Sequence, residues 1–214
     1  QADDGIRDSV ASRGLGDVYK RQPPLRFDTC KATCREPGIM MFNIRPGGNS
    51  LRTIPVGWLI GLDQTGEIAY CQTYKDPPQA VCALPNGNFL FSQTSAGLIT
   101  EMTRTGETLR RWYAIGKWRD KDAPVNAIPI DAELLHHTVN VFPNGNMLLL
   151  TMEVRKFENW PGSDTDPDAP TETANVVGDI IIEVSPAGTI VNRWKLLDLL
   201  DPYRLCYGSR SSYW

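Results

Sequence analysis

The chain is 214 residues long, 41% hydrophobic and 22% charged, with 22 basic against 25 acidic side chains for a formal charge of −3. That supplies one sizeable core but too little length for several, and the slightly acidic balance excludes a broad basic face for nucleic acid. No apolar run approaches the roughly 18 residues of a membrane span, and Gly 18 with Pro 16 beside a normal apolar content implies many turns rather than disorder.

In chain order, residues 1–22 show little apolar periodicity and meet Pro23-Pro24 abruptly. Their end, Asp17-Val18-Tyr19-Lys20-Arg21-Gln22, is what the codons GAT GTG TAT AAG AGA CAG encode. Those codons resemble the transposon end used in preparing sequencing libraries. The segment is therefore read as an adapter-derived tail and set aside from fold reasoning. Asp3, Asp4, Asp8 and Asp17 balance Arg7, Arg13, Lys20 and Arg21, so the net charge does not depend on it.

Beyond the tail the chain is written in short alternating runs, such as Trp58-Leu59-Ile60-Gly61-Leu62 and Ile180-Ile181-Ile182-Glu183-Val184. Turn phrases punctuate them. Pro85-Asn86-Gly87-Asn88 and Pro143-Asn144-Gly145-Asn146 repeat each other, and Asp63 to Glu67, Thr103 to Glu107 and Ser185 to Thr189 each carry a glycine in fourth place. Pro pre-sets φ, Gly accepts φ > 0, and apolar strand residues follow, so each phrase predicts a hairpin turn. Gly66 and Gly106 lie about 40 residues apart, and Gly188 follows at about twice that spacing, which matches propeller blades. The excess length is placed in two irregular stretches, 113–130 and 154–178. Tyr70, Trp112 and Trp194 close the units and are expected to pack between neighbouring sheets. Only residues 194–200 could form a brief helix, broken at Pro202. The fold class is all-β. Residues 23–214 hold about four blades at roughly 45 residues each, so they are expected to form an incomplete β-propeller domain of three to four blades. Such an open array would expose sheet edges and be poorly stable and aggregation-prone.

The sequence contains two histidines, and they are adjacent: His136-His137, just before the 139–150 hairpin. Neighbours on a strand point to opposite faces, so one of them at most would face a central cavity. On spacing alone the pair fits a structural or solvated role as well as a catalytic one. Asp131 fits a turn or an imidazole-orienting role. No further His or Cys lies within the next sixty or so residues, so no metal site is expected.

Here a family resemblance enters. The run 131–150, with its His-His, a five-residue gap and Pro-Asn-Gly-Asn, resembles the active-site blade of bacterial arylsulfotransferases. Glu153-Val154-Arg155, residues 164–170, Val177-Gly178-Asp179, residues 196–204 and Tyr207-Gly208-Ser209 follow in the family's order, and Phe42-Asn43-Ile44-Arg45-Pro46 resembles its first blade. The resemblance implies a six-bladed propeller that moves a sulfuryl group from a phenolic sulfate ester to a phenol. The reaction passes through a sulfohistidine and needs no nucleotide donor and no cofactor. It implies a periplasmic or secreted protein, and it leaves room for a homodimer of the full-length chain. It assigns His137, with His136 beside it, to sulfate or phenol-oxygen contact and proton transfer, and Arg155 to substrate binding, where a surface or inter-blade ion pair is an equal alternative. The sulfated histidine of the family comes from blades beyond Trp214. With no third histidine here, the chain alone is expected to show no turnover. The alternative from another class is a non-catalytic propeller that binds a ligand or protein.

Asp164, Asp166 and Asp168 have the opening rhythm of a calcium loop. Pro167 and Pro170 interrupt it, and Asn175 stands where the bidentate Glu belongs, so a polar loop is expected. Of the five cysteines, Cys71 and Cys82 could pair across strands of one blade, and Cys30, Cys34 and Cys206 form no redox or metal spacing.

Overall fold

The computed structural model describes residues 37–44 and 57–204. The adapter-like tail, Cys30, Cys34, Cys206 and the Tyr207-Gly208-Ser209 motif lie outside the described residues. Two compact units emerge, divided between Pro78 and Gln79.

The first unit contains β1 (Met40–Ile44), β2 (Gly57–Leu62) and β3 (Ile68–Tyr74), an antiparallel sheet in the order β1-β2-β3. Leu59 and Ile60 on the central strand are fully buried. A Cβ on Gly57 would sit 2.4 Å from the Pro77 ring, so no larger residue fits there.

The second unit holds two sheets. β4 (Val81–Ala83), β5 (Phe89–Gln93), β6 (Leu98–Met102) and β7 (Thr108–Ala114) form an antiparallel meander, and β8 (Ala127–Ile130) joins β7 in parallel. β9 (His136–Val141), β10 (Met147–Trp160), β11 (Glu172–Val184) and β12 (Ile190–Lys195) form the other meander, followed by the one-turn helix α1 (Leu196–Leu199). The inner ends of β10 and β11 alternate in burial, with Met147, Leu149, Ile180, Ile182 and Val184 inward. They meet Leu90, Ile99 and Trp112 of the first meander in one core. The period-2 pattern therefore places one face of each sheet against the other.

The five turn phrases fold alike. In each the glycine has φ between 82° and 89°, and its N–H returns to the carbonyl three residues before, as Gly87 does to Leu84 and Gly145 to Phe142. That is the type I turn with a left-handed glycine that suits right-twisted hairpins. The asparagines then reach across the sheet. Asn88 donates to Glu101 at 2.8 Å, and Asn146 donates to Glu183 at 2.6 Å. Arg110 completes the first latch at 2.7 Å and Asn192 the second at 2.6 Å. Trp112 packs between the sheets as expected, 2% exposed, its indole N–H donating to the Pro186 carbonyl at 2.9 Å. Trp194 occupies the matching place on β12 and is 39% exposed, with no covering sheet among the described residues.

The all-β, blade-like class holds: the described residues form three sheets, none closed on itself. Three expectations are corrected. Residues 154–178 are not irregular, because β10 and β11 run on as a long two-stranded arm, and only 161–171 connect them. Within 113–130 the chain makes a 3-10 turn at Gly116–Trp118 and then the paired strand β8. Cys71 and Cys82 lie on different sheets, β3 and β4, and both are free thiols.

Candidate functional site

The histidine pair opens β9 at the end of the sheet opposite the Asn-Gly-Asn turn. Here the ladder breaks: Leu149 faces Val139, yet Leu150 faces His136. His137 and Thr138 are thus surplus on β9, a bulge of the kind that re-aims side chains. His137 takes φ 55°, a left-handed conformation uncommon for residues other than glycine. The expected alternation therefore fails. Instead of pointing apart, the two rings stand edge to face with centroids 4.9 Å apart, and both line one cleft of about 790 Å³.

His136 is the anchored member, with its side chain 10% exposed. Its Nε2 lies 3.3 Å from the Thr151 carbonyl oxygen. A carbonyl can only accept, so Nε2 carries the proton and Nδ1 holds the lone pair in the neutral ring. Asp179 Oδ1 lies 3.6 Å from the same Nε2, within ion-pair distance of a protonated ring. The carboxylate beside the imidazole is therefore Asp179 rather than Asp131, whose backbone carbonyl accepts from Arg193 at 3.4 Å. The Val177-Gly178-Asp179 motif carried that signal in the sequence, but only the β10–β11 register, with Asp179 opposite Met152, brings it to the histidine.

His137 is exposed at its ring and held at its backbone. Its N–H donates to Thr94 Oγ1 at 3.3 Å, and its carbonyl accepts the Ser92 hydroxyl. The two-stranded arm walls the cleft with Met152, Trp160 and Val177, while Asn175, Glu172 and Asp179 supply polar groups. Trp160 is steadied by Phe157 and Tyr203, with ring centroids 5.3 and 5.7 Å away. The volume lies in the range of small-molecule sites, and an apolar wall facing a few converging polar groups is their usual composition.

Arg155 is not brought to this cleft. It shares the face of Glu153, opposite that of Met152, and pairs with Glu153 and Asp198 at 2.6 Å each. The hydrogen bond from Arg155 holds the Asp198 carboxyl below its usual range, and together they tie α1 to the arm. The cleft lining itself contains no Lys or Arg among the described residues.

Comparison with known proteins decides the lineage. The family model described as Arylsulfotransferase (ASST) matches residues 49–212, which is most of the chain and includes every residue of the cleft. The chain belongs to the arylsulfotransferase family. No curated protein matches it. Among solved structures, it is similar to a protein of unknown function from Bacteroides caccae, at 13% identity and a TM-score of 0.32, over 66% of this chain and 55% of that one. The chain thus spans little more than half the length of that structure. As a family member it carries a β-rich architecture, and no helix among its described residues is long and apolar enough to cross a membrane.

Proposed function

We propose that this chain carries part of the sulfuryl-transfer site of an arylsulfotransferase. The enzyme would move a sulfuryl group from a phenolic sulfate ester to a phenol acceptor, with the cleft over His136 and His137 as the place where the aryl ester sits. The observation that carries this reading is the paired imidazoles on one wall of an apolar cleft, inside the stretch that the family matches. In the reaction a histidine nitrogen forms an N–S bond as the S–O bond to the aryl group breaks, and the departing phenolate takes up a proton. The second phenol then reverses the sequence. Neutral imidazole suits the first step near pH 7, and N–H donors offset charge on the sulfate oxygens and on the phenolate.

We assign proton transfer and phenol-oxygen contact to the exposed His137. His136 lies beside it, its Nε2 fixed by Thr151 and backed by Asp179. With no Lys or Arg in the described lining, the imidazole N–H groups and the Asn175 amide are the donors that meet the ester's negative charge. Arg155 would reach a sulfate only by giving up Glu153 and Asp198, and we assign it to bracing the arm. The nucleophile belongs to residues outside this 214-residue sequence, which contains only the two histidines described. We also propose that residues 23–214 form one stretch of a larger propeller and that the protein works in the periplasm or outside the cell.

Titration of the 214-residue chain with phenyl sulfate, followed on its imidazole resonances, tests the site. Both rings are expected to shift, and His137→Ala is expected to weaken binding. Rings that stay unmoved at millimolar ester would remove the site from the reading. Incubation with 4-nitrophenyl sulfate and phenol tests the missing nucleophile: no 4-nitrophenol is expected from this chain, and steady release would overturn that assignment.

A further inference from the structure

We propose that Ser92 and Thr94 are positioning residues, which hold the His137 peptide left-handed from the neighbouring sheet and thereby aim both imidazoles into one cleft. The role in catalysis rests on the functional reading above; the clamp itself does not. Regular pairing would put His136 and His137 on opposite faces of β9. What prevents it is the two-residue bulge facing Leu149 and Leu150, with His137 at φ 55°. A side chain with a Cβ disfavours that region, so something outside the strand must hold it there.

Both backbone polar groups of His137 are held by one short segment of the first meander. The Ser92 hydroxyl accepts the Ala80 N–H at 3.3 Å and donates to the His137 carbonyl. Thr94 Oγ1 accepts the His137 N–H at 3.3 Å and donates to Gln79 Oε1 at 2.8 Å. Each hydroxyl is thus oriented by a partner in the segment that leads into β4, which leaves its remaining capacity aimed at His137. Ser92 is fully buried, so its proton has no water to turn to. Residues two apart, at the end of β5 and just past it, grip a single residue of β9 through both its backbone polar groups. The ring geometry of the second meander is therefore set by the first.

The 15N-labelled chain tests this directly, because its two imidazoles give a long-range proton–nitrogen spectrum of four ring nitrogens. In Ser92→Ala and in Thr94→Val, the ring-to-ring cross-peak between His136 and His137 should fall by more than half and the His137 nitrogens should move. The His136 signature of a protonated Nε2 should persist. Affinity for phenyl sulfate should drop about tenfold, and Ser92→Thr and Thr94→Ser should restore both readouts. Unchanged ring nitrogens and cross-peak in the folded variants would overturn the clamp, whereas unchanged affinity despite moved rings would overturn its role in binding the ester. Should Ser92→Ala fail to fold, Thr94→Val and its serine rescue decide alone. Phenyl sulfate that leaves the wild-type rings untouched, while the clamp variants still move them, would sink the functional reading and keep the clamp.

Discussion

The two meanders of the second unit are near-copies at one end and unrelated at the other. At the Asn-Gly-Asn end each turns through a left-handed glycine and latches an asparagine amide onto a glutamate of the next strand. At the opposite end β5 turns into β6 through the few residues around Thr94–Gly97, whereas β10 and β11 run far past the sheet before they connect. The first strand β4 is regular, while its counterpart β9 is bulged and carries both histidines. One end repeats because it builds the sheet; the other departs because it builds a cleft. Substitutions at matched positions should separate the two duties.

The largest contrast is expected between Trp112 and Trp194. Trp112→Ala removes a ring buried between the sheets and strands the Pro186 carbonyl, at a cost of about 3–5 kcal/mol in denaturant unfolding. Trp194→Ala removes a ring that is 39% exposed, and should cost about 1 kcal/mol or less. Equal losses would mean that the second ring is covered too.

Next come two turn glycines with nearly the same φ, 85° at Gly145 and 86° at Gly188. An alanine Cβ at Gly145 meets nothing nearer than 3.8 Å, so Gly145→Ala carries only the left-handed penalty of about 1–2 kcal/mol. At Gly188 it would lie 2.3 Å from the Pro129 carbonyl of the other meander. Gly188→Ala should therefore lose about 2–5 kcal/mol by thermal or urea unfolding. The difference measures how closely the two sheets approach.

These contrasts also show what the sequence made legible. Gly, Asn and Pro turn chemistry is local, so all five hairpin turns and the inter-sheet role of Trp112 could be read from short phrases. Residues 154–178 misled because residue type does not follow burial along the arm. Glu153 and Arg155 take half-buried places while Val154 and Val177 are exposed, so the hydropathy alternation that marks a half-buried strand disappears. β8 was masked by Pro129, tolerable only because the strand lies at a sheet edge. The bulge at His137 has no composition signal, since it is imposed by Ser92 and Thr94, more than forty residues away. Asp179 reaches His136 through strand register alone.

The glutamate latches differ in burial and so in acid response. Burial works to raise the Glu101 pKa, but hydrogen bonds from Asn88, Arg110 and Asn86 outweigh it and hold the carboxyl below its usual value. A depressed folded-state pKa contributes stability above the unfolded value of about 4.3, and that stability is lost as pH falls through the folded value. Unfolding free energy measured down from about pH 5 should therefore fall less steeply in Glu101→Gln than in wild type. The half-buried Glu183 latch should give a weaker version of the same change. The smallest effect is expected from Arg155→Ala, which should loosen α1 without moving either imidazole resonance; a shifted His136 signal would tie Arg155 to the cleft after all.

Among the described residues, strand β10 has neighbours on both sides only as far as Leu150, and beyond it only β11. Within one continuous strand, then, deuterium from solvent should enter at two rates, slow up to the residue facing His136 and fast at alternate amides past it. The arm that frames the cleft can bend or breathe while the root that seats the histidine stays shut.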